Sequence, residues 1–162
     1  MDSPLAGHIG FITMYQLIYC SRFTGTGGAL STVREILAQS QQNNFQNTIT
    51  GFLIFDKTHF VQVLEGEEQV VQDTYARLLG DSRHADIVPI AARAVEKRDF
   101  PEWSMGGFLR NPEVQHIYAR HGMDDGIDPV TLTAGKVVAL AKDLLAYDLS
   151  RDRERIINIA TR

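Results

Sequence analysis

The chain has 162 residues, 44% hydrophobic and 22% charged, which suits one folded domain with a modest extension and argues against disorder outside the ends. Its net charge of −4 comes without any run of Lys or Arg, so direct nucleic-acid binding is not expected. Cys20 stands alone, no Cys/His group has zinc-ligand spacing, and no apolar stretch approaches the roughly 18 residues of a membrane span; these features disfavour a disulfide, a metal site, a membrane segment and export, and predict a cytoplasmic protein.

Residues 1–13, with Pro4, Gly7 and Gly10, read as a leader. Met14 to Ser21 is rich in strand formers and puts Tyr15, Leu17 and Tyr19 on one face. The turn Gly25-Thr26-Gly27-Gly28 stands where a phosphate cradle would lie. Leu30 replaces the third glycine of that fingerprint and no Lys-Ser/Thr pair follows, so a flexible connection is the stronger reading. Thr32-x-x-Glu35 is a capping box opening a helix in which Val33, Ile36, Leu37, Ser40 and Asn44 recur at helical spacing. The stripe turns polar toward its end, aiming Ser40 and Asn44 at the sheet. Asn43-Asn44 can equally end the helix, and for Asn43 a cap is the expected role.

Ile49 to Phe55 reads as a strand, joined through the turn Asp56–His59 to an antiparallel partner, Phe60 to Gly66. Within that partner Gln62 shares a face with Phe60 and Leu64. A buried amide without hydrogen bonds costs about 1–3 kcal/mol, and a backbone carbonyl, a water or a ligand would each satisfy it. Glu67-Glu68 begin a second helix with Val71, Thr74, Tyr75, Leu78 and Leu79 inward, stopped at Gly80. The polar cluster Asp81-Ser82-Arg83-His84 is predicted as a loop before a strand over 87–95, in which Pro89 demands an edge or a bulge. A last strand from Trp103 to Phe108 would place Trp103 and Met105 on one face.

This order predicts an α+β chain: a ferredoxin-like βαββαββ sheet with two helices on one face, and a C-terminal helical extension. Beyond Asn111, 113–120 is a weak helix and 122–129 a loop. Leu132 to Tyr147 is a strong helix whose Val137, Leu140, Ala141, Leu144 and Leu145 must cover the open sheet face or a partner. The tail Ile156-Ile157-Ile159 is a final turn or a dimer contact. The expected division is a leader over 1–13, a domain over 14–110 and an output or oligomerisation extension over 111–162. Removal of everything after Asn111 should then leave the site intact.

Tyr19, Ser40, Asn44, Gln62, Arg83 and His84 converge on the gap between the two helices, with Ile36 and Leu78 as apolar walls. No nucleophile with its base and no carboxylate pair accompanies them. Amides, a phenol and a cation suit a planar, carbonyl-rich heterocycle held by its edge.

Five segments, in order, carry a resemblance: Leu17-Ile18-Tyr19-Cys20-Ser21; Ser40 to Asn44 with Ile49-Thr50-Gly51; Phe60-Val61-Gln62-Val63-Leu64-Glu65-Gly66; Asp81-Ser82-Arg83-His84; and Arg98 to Met105. Over about Met14–Phe108 the chain resembles the BLUF domains, blue-light sensors that bind FAD. The resemblance implies that Asn44 holds the flavin pyrimidine edge, with Ser40 beside it, and that Ile36 and Leu78 sandwich the ring. Gln62 would stand between Tyr19 and the ring, and Arg83 and His84 would meet its C2 side and the ribityl region. It further implies that Tyr19 donates an electron with its proton on excitation. Gln62 would then change which end of its amide faces the flavin, and Trp103 and Met105 would relay the change to the C-terminal helix. No net catalysis is expected. The implied partners are a downstream effector protein, such as a cyclic-dinucleotide enzyme or a transcription regulator, and further copies of the chain in a homo-oligomer. The rival reading is a ferredoxin-like module or small enzyme that binds a metabolite other than flavin.

Overall fold

A computed structural model describes residues 13–25, 29–102 and 105–151; the leader, the glycine turn at 26–28, Trp103 with Ser104 and the apolar tail at 156–159 lie outside the described residues. The elements run β1 (Met14–Phe23), α1 (Ala29–Asn47), β2 (Thr50–Phe55), β3 (His59–Glu67), α2 (Glu68–Leu79), β4 (His84–Val95), β5 (Gly106–Leu109), α3 (Gln115–Arg120) and α4 (Ala134–Arg151). One sheet ordered β4-β1-β3-β2-β5 results. Its pairs are antiparallel except β2 with β5, which is parallel. This is the predicted ferredoxin-like arrangement with β5 added beside β2.

Three local expectations change. Helix α1 starts at Ala29 and runs to Asn47, so Asn43 lies inside the helix and not at its cap. The helix stops at Thr48, whose φ of 56° is left-handed, and the Ile49 amide reaches back to the Asn44 carbonyl at 2.9 Å, the six-to-one bond of a Schellman ending. Strand β4 opens at His84, three residues early, because β1 extends to Phe23 and pairs with it there. Met105 precedes β5, so it is a loop residue and shares no strand face with Trp103.

Pro89 sits on the edge strand, as required of a residue without an N–H. Ile18 faces Ala91 while Tyr19 faces Pro89, so the register slips by one residue at Ile90 and bulges the strand beside Tyr19. Gly51 is the glycine that geometry demands. A Cβ there would come within 1.9 Å of the Val63 carbonyl oxygen and 3.2 Å of Met105 Cε.

Strand alternation sends two apolar sets to opposite faces. Leu17, Tyr19, Phe60 and Leu64 pack against Val33 and Leu37 of α1 and Val71 of α2. Ile18, Cys20, Val61 and Val63 pack against Ile117 and Tyr118 of α3 and Val137, Leu140 and Leu144 of α4. Of the two occupants open for the apolar helix, the sheet face is the one realised, and the segment after Asn111 supplies one side of a continuous core.

Candidate functional site

Antiparallel pairing sets Tyr19 directly opposite Gln62, both on the face carrying α1 and α2. Neighbours in this position have Cβ atoms about 5 Å apart, and the phenol donates its hydrogen bond to Gln62 Oε1. That bond orients the carboxamide. Gln62 Nε2 is turned toward Met105 Sδ at 3.5 Å. A thioether is a weak acceptor, so a buried amide nitrogen keeps most of its donor capacity in a residue only 2% exposed.

Burial pushes the Tyr19 phenol above its ordinary pKa, and Tyr75 and Asp81 act in the same direction. It therefore remains a protonated donor at neutral pH. The Tyr75 ring lies 5.5 Å away at 46°. This second phenol comes from α2.

A cleft of about 190 Å³ lies between α1 and α2 over these residues. Ile36, Ser40 and Asn44 of α1 line it together with Gln62, Leu78 and Arg83. Asn44 is 1% exposed. Tyr19 and His84 line a small recess of about 20 Å³ that shares Ile36, Gln62, Leu78 and Arg83 with the cleft. Sequence reasoning therefore named residues that the fold brings together. Met105 lies beside Gln62, and Trp103 is outside the described residues.

Arg83 spans the cleft rim. Its Nη2 donates to Gln39 Oε1 of α1 at 2.9 Å and to Asp81 Oδ2 at 2.6 Å, with Nε on Asp81 Oδ1 at 2.9 Å. The side-chain hydrogen bond from Arg83 holds the Asp81 carboxyl below the usual carboxylate range. The recess fixes His84 from both ends. Its Nε2 lies 2.7 Å from the Leu78 carbonyl, which can only accept, and its Nδ1 lies 2.7 Å from Ser21 Oγ. In the neutral ring Nε2 carries the proton and Nδ1 accepts from the serine, and these contacts tie the start of β4 to the end of α2 and to β1.

Sequence reasoning gave no site role to Gln39, Gln41, Tyr75 or Asp81. Gln41 Nε2 donates to the Met105 carbonyl at 2.9 Å. Its signal was present: Val33, Leu37, Gln41 and Asn44 follow one another at helical spacing, and all four are buried, so a polar residue interrupts an inward stripe. Gln39 reaches Arg83 through tertiary contact alone, whereas Asp81 meets it from two residues away in the chain.

A planar ring bearing carbonyl and imine edges fits this donor set. Gln62 Nε2 meets a weak sulfur acceptor, Asn44 is a buried amide on the lining, and Ile36 and Leu78 supply apolar faces from two helices. The cleft is smaller than the roughly 300–1,000 Å³ of enclosed ligand pockets, so it suits one ring system with the rest of a dinucleotide outside it. Among the described residues, no group of three or more His, Cys, Asp or Glu could hold a metal ion, and no helix is long and apolar enough to cross a membrane.

Residues 14–106 match the family described as sensors of blue-light using FAD. Over 106 residues, 65% of this chain, the sequence is 31% identical to photoactivated adenylate cyclase subunit beta of Euglena gracilis, of which the match spans 12%. The blue light- and temperature-regulated antirepressor BluF of Escherichia coli (strain K12) is 33% identical over 73 residues, 45% of this chain and 18% of that protein. The chain thus spans a small part of these curated relatives. Among solved structures, BlrB, a BLUF protein in its dark state, aligns with a TM-score of 0.70 at 25% identity over 84% of this chain and 98% of its own. The photo-activated state of BlsA aligns with a TM-score of 0.71 at 24% identity over 92% and 99%, a likeness of fold. Klebsiella pneumoniae BlrP1, solved with FMN and cyclic diGMP, aligns with a TM-score of 0.54 at 26% identity over 59% and 26%.

Proposed function

The chain belongs to the BLUF family of blue-light sensors using FAD, and from that premise we propose that the cleft between α1 and α2 holds the flavin and that Tyr19 and Gln62 report its excitation. One observation carries the assignment: Gln62 is buried with Oε1 engaged by Tyr19 and Nε2 facing only a thioether among the described residues. Asn44 and Ser40 hold one edge of the ring, and Ile36 and Leu78 enclose its faces. Arg83 closes the rim, and His84 braces the recess behind. Bound FAD supplies a strong oxidant when it absorbs blue light.

Tyr19 keeps its proton on Gln62 Oε1 in the dark, because burial disfavours the phenolate. It is the residue from which an electron and a proton depart together and to which they return. Gln62 has two unlike ends. Little resists its rotation or tautomerisation on the nitrogen side, where Met105 Sδ is the partner. Reversal presents the opposite end to Tyr19 and to the cleft, and this changed hydrogen-bond network is the signalling state.

Absorption spectroscopy tests the assignment. The purified protein should be yellow, with a three-banded flavin spectrum that shifts reversibly to the red under blue light. Gln62→Leu and Tyr19→Phe should keep the colour and lose the shift. A normal reversible shift in either variant refutes the roles given to these residues.

The signal passes to an effector protein, with a cyclic-dinucleotide enzyme or a transcription regulator as the candidates. This extends to the chain what is stated of its relatives, a photoactivated adenylate cyclase and an antirepressor, and the cyclic diGMP held in the BlrP1 structure. A cytoplasmic homo-oligomer completes the reading, and light-scattering mass in darkness and in light checks the assembly.

A further inference from the structure

Between β4 and β5 the described residues reach both faces of the sheet. Phe100 is buried on the face covered by α4, its ring 5.4 Å from that of Phe52. Met105, just before β5, is buried on the face of the cleft, beside Gln62. Both ends are pinned by buried side chains. Gln41 takes the Met105 carbonyl at 2.9 Å, and Glu65 takes the start.

Glu65 lies on the last turn of alternation in β3, opposite in face to Gln62, and is 0% exposed. Its carboxylate accepts three N–H groups, each at 2.8 Å: Phe100 N on Oε1, and Asp99 N and Gln16 Nε2 on Oε2. Among the described residues it has no cationic partner within ion-pair distance. Its donors are two consecutive backbone amides of the crossing and one amide of β1, so its charge is committed to holding that segment. Asp99 continues the chain of contacts. It accepts Gln16 Nε2 at 2.8 Å and Lys142 Nζ of α4 at 3.0 Å. Burial pushes the Asp99 carboxyl up, but the hydrogen bonds from Lys142 and Gln16 outweigh it and leave the pKa below the usual range.

We propose that Glu65 is a positioning residue. Its carboxylate fixes the crossing that sets Met105 against Gln62, and through Asp99 and Lys142 the same anchor joins the cleft to α4. The inference rests on the light-sensing reading of the cleft. Movement of Met105 is then felt at residues 99–100, the point where α4 is attached. An amide in place of the carboxylate cannot make the same contacts. In its better orientation Glu65→Gln leaves the Phe100 N–H facing another N–H.

Hydrogen exchange on the full flavin-loaded chain, in darkness and under blue light, tests this alongside the absorption shift and the Met105 methyl resonance. Wild-type protein should show the red shift and a light-dependent change of exchange in α4. Glu65→Gln should keep the red shift, move the Met105 resonance, speed exchange of residues 99–102 at least tenfold, and cut the α4 response at least threefold. Lys142→Met should leave the Met105 resonance and residues 99–102 unchanged and cut only the α4 response, with Lys142→Arg restoring it. An undiminished α4 response in Lys142→Met overturns the coupling, as does a wild-type red shift with no response in α4. An unmoved Met105 resonance in Glu65→Gln overturns the positioning. If Glu65→Gln fails to fold, the Lys142 pair still decides the coupling. Absence of any red shift in the wild type instead sinks the light-sensing reading, and the dark Met105 resonance then tests the anchor separately.

Discussion

The two faces of the sheet use the same strands and are finished differently. On one, α3 and α4 close over Ile18, Cys20, Val61 and Val63 with side chains such as Leu140, Ala141 and Leu144, all essentially without exposure. On the other, α1 and α2 bury Leu17, Leu64 and Phe60 and leave amides at the floor of a cleft. Well-packed side chains of this size each contribute about 1.5–3 kcal/mol. Both faces gain from this, and the open face forgoes part of the gain at the cleft, where amides stand in place of apolar side chains.

Deleting the chain from Asn111 onward should have the largest effect. It strips α3 and α4 from the second face and is expected to abolish cooperative unfolding or leave aggregated protein, read by thermal melting and sedimentation. This reverses the expectation from sequence that the site survives the truncation. A soluble, flavin-binding truncation with a sharp melt would erase the distinction between the faces.

Leu140→Ala opens a cavity in the sealed face and should cost about 2–5 kcal/mol in denaturant unfolding. Acid comes next. The Asp81 carboxyl lies below its ordinary pKa because of the Arg83 hydrogen bond, and Asp99 lies low through Lys142 and Gln16 against the opposing effect of burial. Both contributions are present above the ordinary carboxylate pKa of about 3.9 and are lost as pH falls through the lowered values. Melting temperature should decline below about pH 4, and Asp81→Asn should flatten part of that decline. An unchanged acid limb in Asp81→Asn would show that the rim clasp adds no stability.

Gln62→Leu should cost about 1–3 kcal/mol, since it leaves the buried Tyr19 hydroxyl without its acceptor. A cost equal to that of Leu140→Ala would make the amide a structural core group. Smallest is Tyr118→Phe. Its buried hydroxyl has no hydrogen-bond partner among the described residues, so removing it should raise stability by a few tenths to about 1 kcal/mol. A loss would mean that the sealed face uses that hydroxyl.

Much of this was legible in the chain itself. Period-two alternation in 60–66 put Gln62 among apolar neighbours, and helical spacing put Ile36, Ser40 and Asn44 on one inward stripe. Five ordered segments pointed to the family. Local signals failed where a distant strand or helix made the decision. Asn43 resembled a cap, yet the helix ended at Thr48. His84 resembled a loop residue, yet the extension of β1 to Phe23 drew it into β4.

Sequence alone thus determined the element order and the alternation that separates the faces, because these depend on periodicity and residue type along one segment. Tertiary structure decided what each face meets. It placed α4 on the sheet, turned Met105 toward Gln62, joined Arg83 to Gln39 of α1, and spent the Glu65 carboxylate on the crossing at Asp99 and Phe100. The physical reason is that hydrogen bonds and apolar contacts between residues tens of positions apart depend on a shared three-dimensional register, and no local pattern encodes that register by itself.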